Sequence, residues 1–111
     1  MKISKELNAA SSTAIVLGIL QEGESYGYAI AQRIRELSGD EVQWTDGMLY
    51  PILHRLEGDR LISARWGESE TGRKRKYYRM EPAALKVLKE ERQQWDVVHT
   101  VLQKLWNNQT V

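Results

Sequence analysis

Cysteine is absent from the 111 residues. That excludes a disulfide scaffold, a thiolate nucleophile and any cysteine-ligated zinc or iron–sulfur centre. Histidine is scarce: His54 and His99 are the two. His99 has Asp96 three positions before it, but two ligands do not make a metal site. Two prolines and eight glycines fit neither a disordered nor a collagen-like chain. The longest apolar run, Ala14 to Leu17, is far short of the roughly 20 residues of a membrane span. The amino-terminal stretch carries Glu6 early and no long apolar segment after it, so it does not read as a signal peptide. The expected location is the cytoplasm, with no membrane partner. No hydroxyl or amine nucleophile stands with a base and an orienting group, and the spacing of a phosphate-binding glycine loop is missing. The expectation is a non-enzyme with no cofactor and no metal.

What is present is a hydrophobic fraction of 41%, enough for one small domain plus an accessory element. A chain this short gains from burying further surface by oligomerisation. Net charge is only +1, but it is unevenly placed. From His54 to Arg79 eight basic residues stand against four acidic ones, a local +4, while the remaining eight basic and eleven acidic residues net −3. One basic segment in a nearly neutral chain can present a surface for an anionic ligand.

The apolar spacing orders the elements. Ala14, Val16, Leu17 and Leu20 read as a buried helix over Ser12 to Gln21 that either begins at Ser11 or Ser12 as cap or runs back to Ser4, with Gly23 as its stop. Ser25 is expected to cap a second helix with Tyr26, Ile30, Ile34 and Leu37 inward and Gly39 at its end. Glu41 to Trp44 is a link or a single strand. A third helix over Gly47 to Glu57, capped by Thr45 or Asp46, turns Leu49, Ile52, Leu53 and Leu56 inward, with Pro51 tolerated near the start. Leu61 to Trp66 and Lys76 to Met80 read as a hairpin with a long charged tip over Gly67 to Arg75. Tyr77 and Tyr78 alternate, so one faces the core. Pro82 opens a final helix. Its seam of Ala84, Leu88, Trp95, Val98, Leu102 and Leu105 is close to heptad spacing, widened by Val97, Val101 and Trp106. A helix of that length, about 34 Å, outreaches so small a domain, and the expected partner is its own copy.

This order predicts a mainly α fold with a small β-hairpin: a winged helix-turn-helix over residues 1–80 and a long dimerisation helix over residues 82–108. The third helix can enter a DNA major groove. The hairpin can lie along phosphates or place its arginines in a minor groove. The expected DNA-facing residues are Thr45, Met48, Tyr50 and His54, with Arg55 near the same polar side, and Arg73, Lys74, Arg75 and Lys76 on the wing. Each has an ordinary reading beside the functional one: a solvated hairpin, a partly buried Tyr50 anchoring its helix, a surface His54. Leu88, Trp95, Val98, Leu102 and Leu105 are expected at the dimer interface. Trp95 is either a seam core residue or, with Val98 and Leu17, one wall of a pocket for a planar aromatic effector, since indole stacks on flat compounds. Two other readings stay open: a winged-helix module that binds protein rather than duplex DNA, and an aromatic-compound sensor that has lost DNA binding.

The stretches Gly27-Tyr28-Ala29-Ile30, Gly47 to Glu57, and Gly72 to Arg79, with Glu90-Glu91-Arg92 and then Trp95, resemble the PadR-like winged-helix transcriptional regulators of the short class with a single carboxy-terminal helix. The resemblance runs from Lys5 to about Trp106. It implies a homodimeric repressor of pseudo-palindromic promoter DNA, released in many relatives by phenolic acids or flat aromatic drugs. It also implies that Tyr50 contacts the DNA backbone and that Arg73 to Lys76 lie at the adjacent groove. The sequence departs from the family pattern in having Tyr26 where histidine is usual, Arg60 where glycine precedes the first wing strand, and Glu81 and Ala84 where threonine and glycine are common. At Arg60, either the turn closes differently or the residue takes a left-handed conformation.

Overall fold

The computed structural model describes residues 1–108. Helix α1 (Lys5–Gln21) is followed by a two-residue strand β1 (Ser25–Tyr26), α2 (Gly27–Leu37), α3 (Asp46–Gly58), the hairpin β2 (Ile62–Glu68) and β3 (Lys74–Met80), and α4 (Ala84–Asn107). The sheet is antiparallel with order β1-β3-β2.

α1 is the central helix: Val16, Leu17, Ile19 and Leu20 are buried in one cluster with Ile30, Ile34, Leu49, Leu53, Leu56, Ile62, Tyr78, Ala84 and Leu88. It is continuous from Lys5, and its cap is Ser4, whose hydroxyl accepts from the Leu7 N–H at 3.1 Å. Ser11 and Ser12 are therefore interior rather than caps. Their hydroxyls donate back to the carbonyls of Leu7 and Ala9 at 2.7 and 2.9 Å, the way such residues satisfy themselves inside a helix.

Ser25 does not cap α2. It pairs with Tyr78 in the sheet, and Tyr26 pairs with Tyr77. Leu37 lies exposed beyond the inward stripe of Ile30 and Ile34. The Glu41 to Trp44 link holds no strand. It ends in a buried Trp44 whose Nε1 donates to Asn8 Oδ1 at 3.3 Å. Pro51 is the sixth residue of α3, past the first turn. It forfeits the bond to the Gly47 carbonyl on the solvent side, where water can take that carbonyl. Both wing strands reach further than the apolar pattern suggests. Gly67 pairs with Arg75 and Glu68 with Lys74, so the tip shrinks to residues 69–73. Among the charged side chains here, alternation does not mark burial, and only the ladder itself sets the strand ends.

Arg60 is left-handed, φ 61°. It occupies the position after the α3 cap Asp59, and the Leu61 N–H returns to the Leu56 carbonyl at 3.0 Å, the arrangement that glycine usually closes. A side chain in this region costs roughly 1 kcal/mol, offset in part by the freer unfolded chain of glycine. Arg60→Gly is expected to stabilise the fold by about 0.5 kcal/mol. Thermal unfolding at fixed protein concentration should show a midpoint a few degrees higher. A lower midpoint would mean that the Arg60 side chain contributes more than its backbone costs.

Ala84 and Leu88 place the start of α4 in the common core, packed on α1. The helix starts without a side-chain cap, so Glu81 does not serve as one; the Ala84 N–H bonds the Glu81 carbonyl at 2.9 Å instead. Further along, α4 leaves the body of the chain, which measures 60 Å along its greatest extent. Val97, Val98, Val101, Leu102, Leu105 and Trp106 are all exposed there.

Candidate nucleic-acid interface

Helix α3 buries Leu49, Leu53 and Leu56 and thereby turns Gly47, Tyr50, Pro51 and His54 outward, a stripe at helical spacing. Thr45 is exposed at its amino-terminal cap. Met48 is not on the stripe. It is partly buried against the core, so of the expected reading residues it is the one least free to meet a base. Arg55 is also committed elsewhere: its guanidinium donates to the Ser12 and Thr13 hydroxyls, each at 3.2 Å, pinning α3 to α1.

Tyr50 is 46% exposed, and its ring end rests over the start of α2. A Cβ built on Gly27 would lie 2.7 Å from the Tyr50 hydroxyl and 3.1 Å from Cζ. Gly27 is buried, and the lack of a side chain there is what lets Tyr50 occupy this position. Nothing in the helical pattern of α2 marks this role. The cue is a glycine in a first helical turn, where glycine is a poor helix former.

The four consecutive wing cations separate. Lys74 and Lys76 share the sheet face of Tyr78, which is buried, while Arg75 shares the opposite face with Tyr77. Lys76 Nζ lies 3.4 Å from Glu57 Oε1 of α3 and 5.5 Å from the Tyr78 ring centre. Burial holds the Tyr78 hydroxyl above the usual tyrosine range. The Arg75 guanidinium stacks 3.8 Å from the centre of the Tyr26 ring and 5.9 Å from that of Tyr77. Tyr26 and Tyr77 meet edge to face at 5.7 Å, geometry in which such rings attract. Arg65 lies 4.7 Å from the Tyr77 ring centre. It also grips the Glu24 carboxylate with two bonds of 3.0 and 2.5 Å, which holds that carboxyl below its ordinary value. Gly67 leaves room for this packing, because a Cβ there would come within 2.9 Å of Arg65 Nη1 and of the Tyr77 ring. Arg73 and Lys74 are thus the wing cations exposed at the tip, while Arg75 and Lys76 set the posture of the wing. Tyr26 supplies the ring on which Arg75 rests.

The residues expected to bind an aromatic effector differ in burial within the single chain. Leu17 is fully enclosed in the core and has no surface to offer a ligand. Trp95 is half-buried and Val98 exposed on α4. Of the expected interface seam, Leu88 is already covered inside its own chain, whereas Val98, Leu102 and Leu105 are open. Among the described residues no group of three or more histidine or acidic side chains could hold a metal ion, and no helix is long and apolar enough to cross a membrane.

A family model described as the transcriptional regulator PadR-like family matches residues 16–90. An uncharacterised protein of Lysinibacillus sphaericus is 33% identical over 89 residues, 80% of this chain and 82% of that one. A transcriptional regulator of Mycobacterium tuberculosis is 34% identical over 88 residues, 79% of this chain and 78% of that one. The solved structure of a transcriptional regulator from Clostridium thermocellum superposes with a TM-score of 0.81 at 30% identity, covering 90% of this chain and 97% of that one.

Proposed function

The chain belongs to the PadR-like family of transcriptional regulators, and on that premise we propose that it is a homodimeric repressor that occupies pseudo-palindromic promoter DNA. The observation that carries the reading is the pairing of two surfaces on one rigid body: the outward stripe of α3 and the exposed cations Arg73 and Lys74 at the wing tip. The Lys76–Glu57 ion pair ties the wing to α3, so the two surfaces are presented to a duplex together. The stripe suits a major groove. The tip cations suit phosphates, which fix register without reading sequence. Two copies joined along α4 repeat the pair by a two-fold axis, and that symmetry matches an operator of two half-sites about 34–36 Å apart.

The test is the salt dependence of duplex binding. The native protein is expected to lose affinity steeply as salt rises. The double change Arg73→Gln, Lys74→Gln is expected to weaken binding to every duplex and to reduce the log–log slope by about 0.9 for each phosphate contact removed. The pair Arg75→Gln and Lys76→Gln is expected to act differently, through the sheet and α3, with a lowered melting midpoint as its signature. A native protein whose duplex binding showed no salt dependence, or no binding at all, would remove the proposal.

A further inference from the structure

Trp66 is 69% exposed, an unusual position for the largest apolar side chain in a molecule with a well-formed core. Its place in the sheet is fixed by register. Ile62, Ala64, Trp66 and Glu68 share one face of β2, opposite Met80, Tyr78, Lys76 and Lys74 of β3. Near the base of the wing this face is core, with Ile62 and Tyr78 buried. One step outward Trp66 stands directly across from Lys76, which reaches to Glu57 of α3. From Trp66 outward to the Glu68–Lys74 pair, the face becomes a shallow depression lined by Trp66, Gly67, Glu68 and Lys74. The indole therefore lies beside the tie to α3 and one step inward of Lys74 at the tip.

The charges around it balance. Glu57 is paired with Lys76, and Glu68 stands directly across from Lys74. What Trp66 adds to this face is apolar area and a ring plane rather than attraction for phosphate. A duplex engaged by α3 on one side and by Arg73 and Lys74 on the other passes over the indole. The apolar parts of a groove wall are the deoxyriboses, and proteins that use the minor groove seat apolar side chains there.

We propose that Trp66 is a non-ionic DNA contact of the wing, its indole packed against the sugars of the groove wall. This rests on the DNA-binding reading above. It makes the wing two-part: cations at the tip that supply salt-dependent affinity, and an aromatic behind them that supplies affinity independent of salt and of sequence.

The experiment is binding of a labelled random-sequence duplex about three helical turns long, titrated across a salt series, for the native protein, Trp66→Ala, Trp66→Phe, and Arg73→Gln with Lys74→Gln. Trp66→Ala is expected to lose about tenfold in affinity at every salt concentration, with the slope unchanged. Trp66→Phe is expected to recover part of the loss. The double cation variant is expected to show the reverse pattern, a reduced slope. Acrylamide quenching gives a second readout: duplex should shield part of the indole emission in the native protein and less of it in Trp66→Phe. Thermal unfolding of each variant shows that the fold is kept, as the exposure of Trp66 leads one to expect. Native affinity in Trp66→Ala, while the native protein binds duplex, would overturn the inference and leave the proposed function standing. So would a Trp66→Ala chain that sediments as a smaller species, since the indole would then face a second copy. Absence of duplex binding by the native protein would overturn both.

Discussion

Replacing Leu102 and Leu105 together by aspartate is expected to convert the proposed dimer to a monomer. Both side chains are exposed in the single chain, at 37% and 54%, so neither supports the chain's own core, and the substitution tests association alone. Val97, Val98, Val101 and Trp106 continue the same open surface, spaced as the apolar face of a helix that packs on another. Each such side chain buried at an interface is worth roughly 1.5–3 kcal/mol. Two-fold symmetry makes every substitution count twice, and a carboxylate forced against apolar neighbours adds a desolvation cost. A loss of at least 4 kcal/mol, about a thousandfold in the dimer dissociation constant, is the expected result in sedimentation at micromolar concentration. Duplex binding should fall with it, because a monomer engages a single half-site. Leu88→Ala should behave otherwise: Leu88 sits in the core shared with α1, so about 2–5 kcal/mol of fold stability should be lost per chain. A native protein that is already monomeric, or an aspartate variant that stays dimeric, would contradict the assignment of α4 as the partner surface.

Gly27→Ala is expected to separate stability from DNA binding. The added methyl would lie 2.7 Å from the Tyr50 hydroxyl, too close to coexist with the ring where it stands. Tyr50 is half-exposed, so the ring can swing out and the fold need not yield. Alanine also favours the first turn of α2 by up to about 1 kcal/mol over glycine. The melting midpoint should therefore hold or rise. Duplex affinity should fall by about tenfold or more, as expected when a hydroxyl hydrogen bond to the DNA backbone and its ring are removed from an interface. Tyr50→Ala should show a similar loss, and combining the two substitutions should add little, since both act through one ring. Additive losses in the double variant would show that Gly27 acts on something other than Tyr50. Unchanged affinity in Gly27→Ala would show that the position of Tyr50 does not matter to binding.

The order of helices, the hairpin, the long terminal helix and the family were all legible in the sequence. They rest on local periodicity and on short motifs whose residues are neighbours in the chain: the inward Leu49, Leu53 and Leu56 of α3, the glycine and basic run of the wing, and the open heptad-like row of α4. The left-handed Arg60 was legible too, as one of two outcomes of a missing glycine. Contacts between distant segments decided the rest. Ser25 has the chemistry of a helix cap, yet it became a strand residue because Tyr77 and Tyr78, some 50 residues later, offered a ladder; tertiary pairing outweighs a capping preference of about 1 kcal/mol. The run Arg73 to Lys76 reads as one basic cluster in the chain, but the alternation of a strand sends its members to opposite faces. There Glu57 and Tyr26, from two different helices' ends, take up Lys76 and Arg75. Leu88 looks like any apolar residue of the α4 seam until packing encloses it. Gly27 reveals its purpose only beside Tyr50. Sequence sets which local structures are affordable and where charge and apolar surface are available. Which cations stay exposed, which leucines stay open and which glycine makes room for a ring are properties of side chains brought together from far along the chain, and only the folded arrangement fixes them.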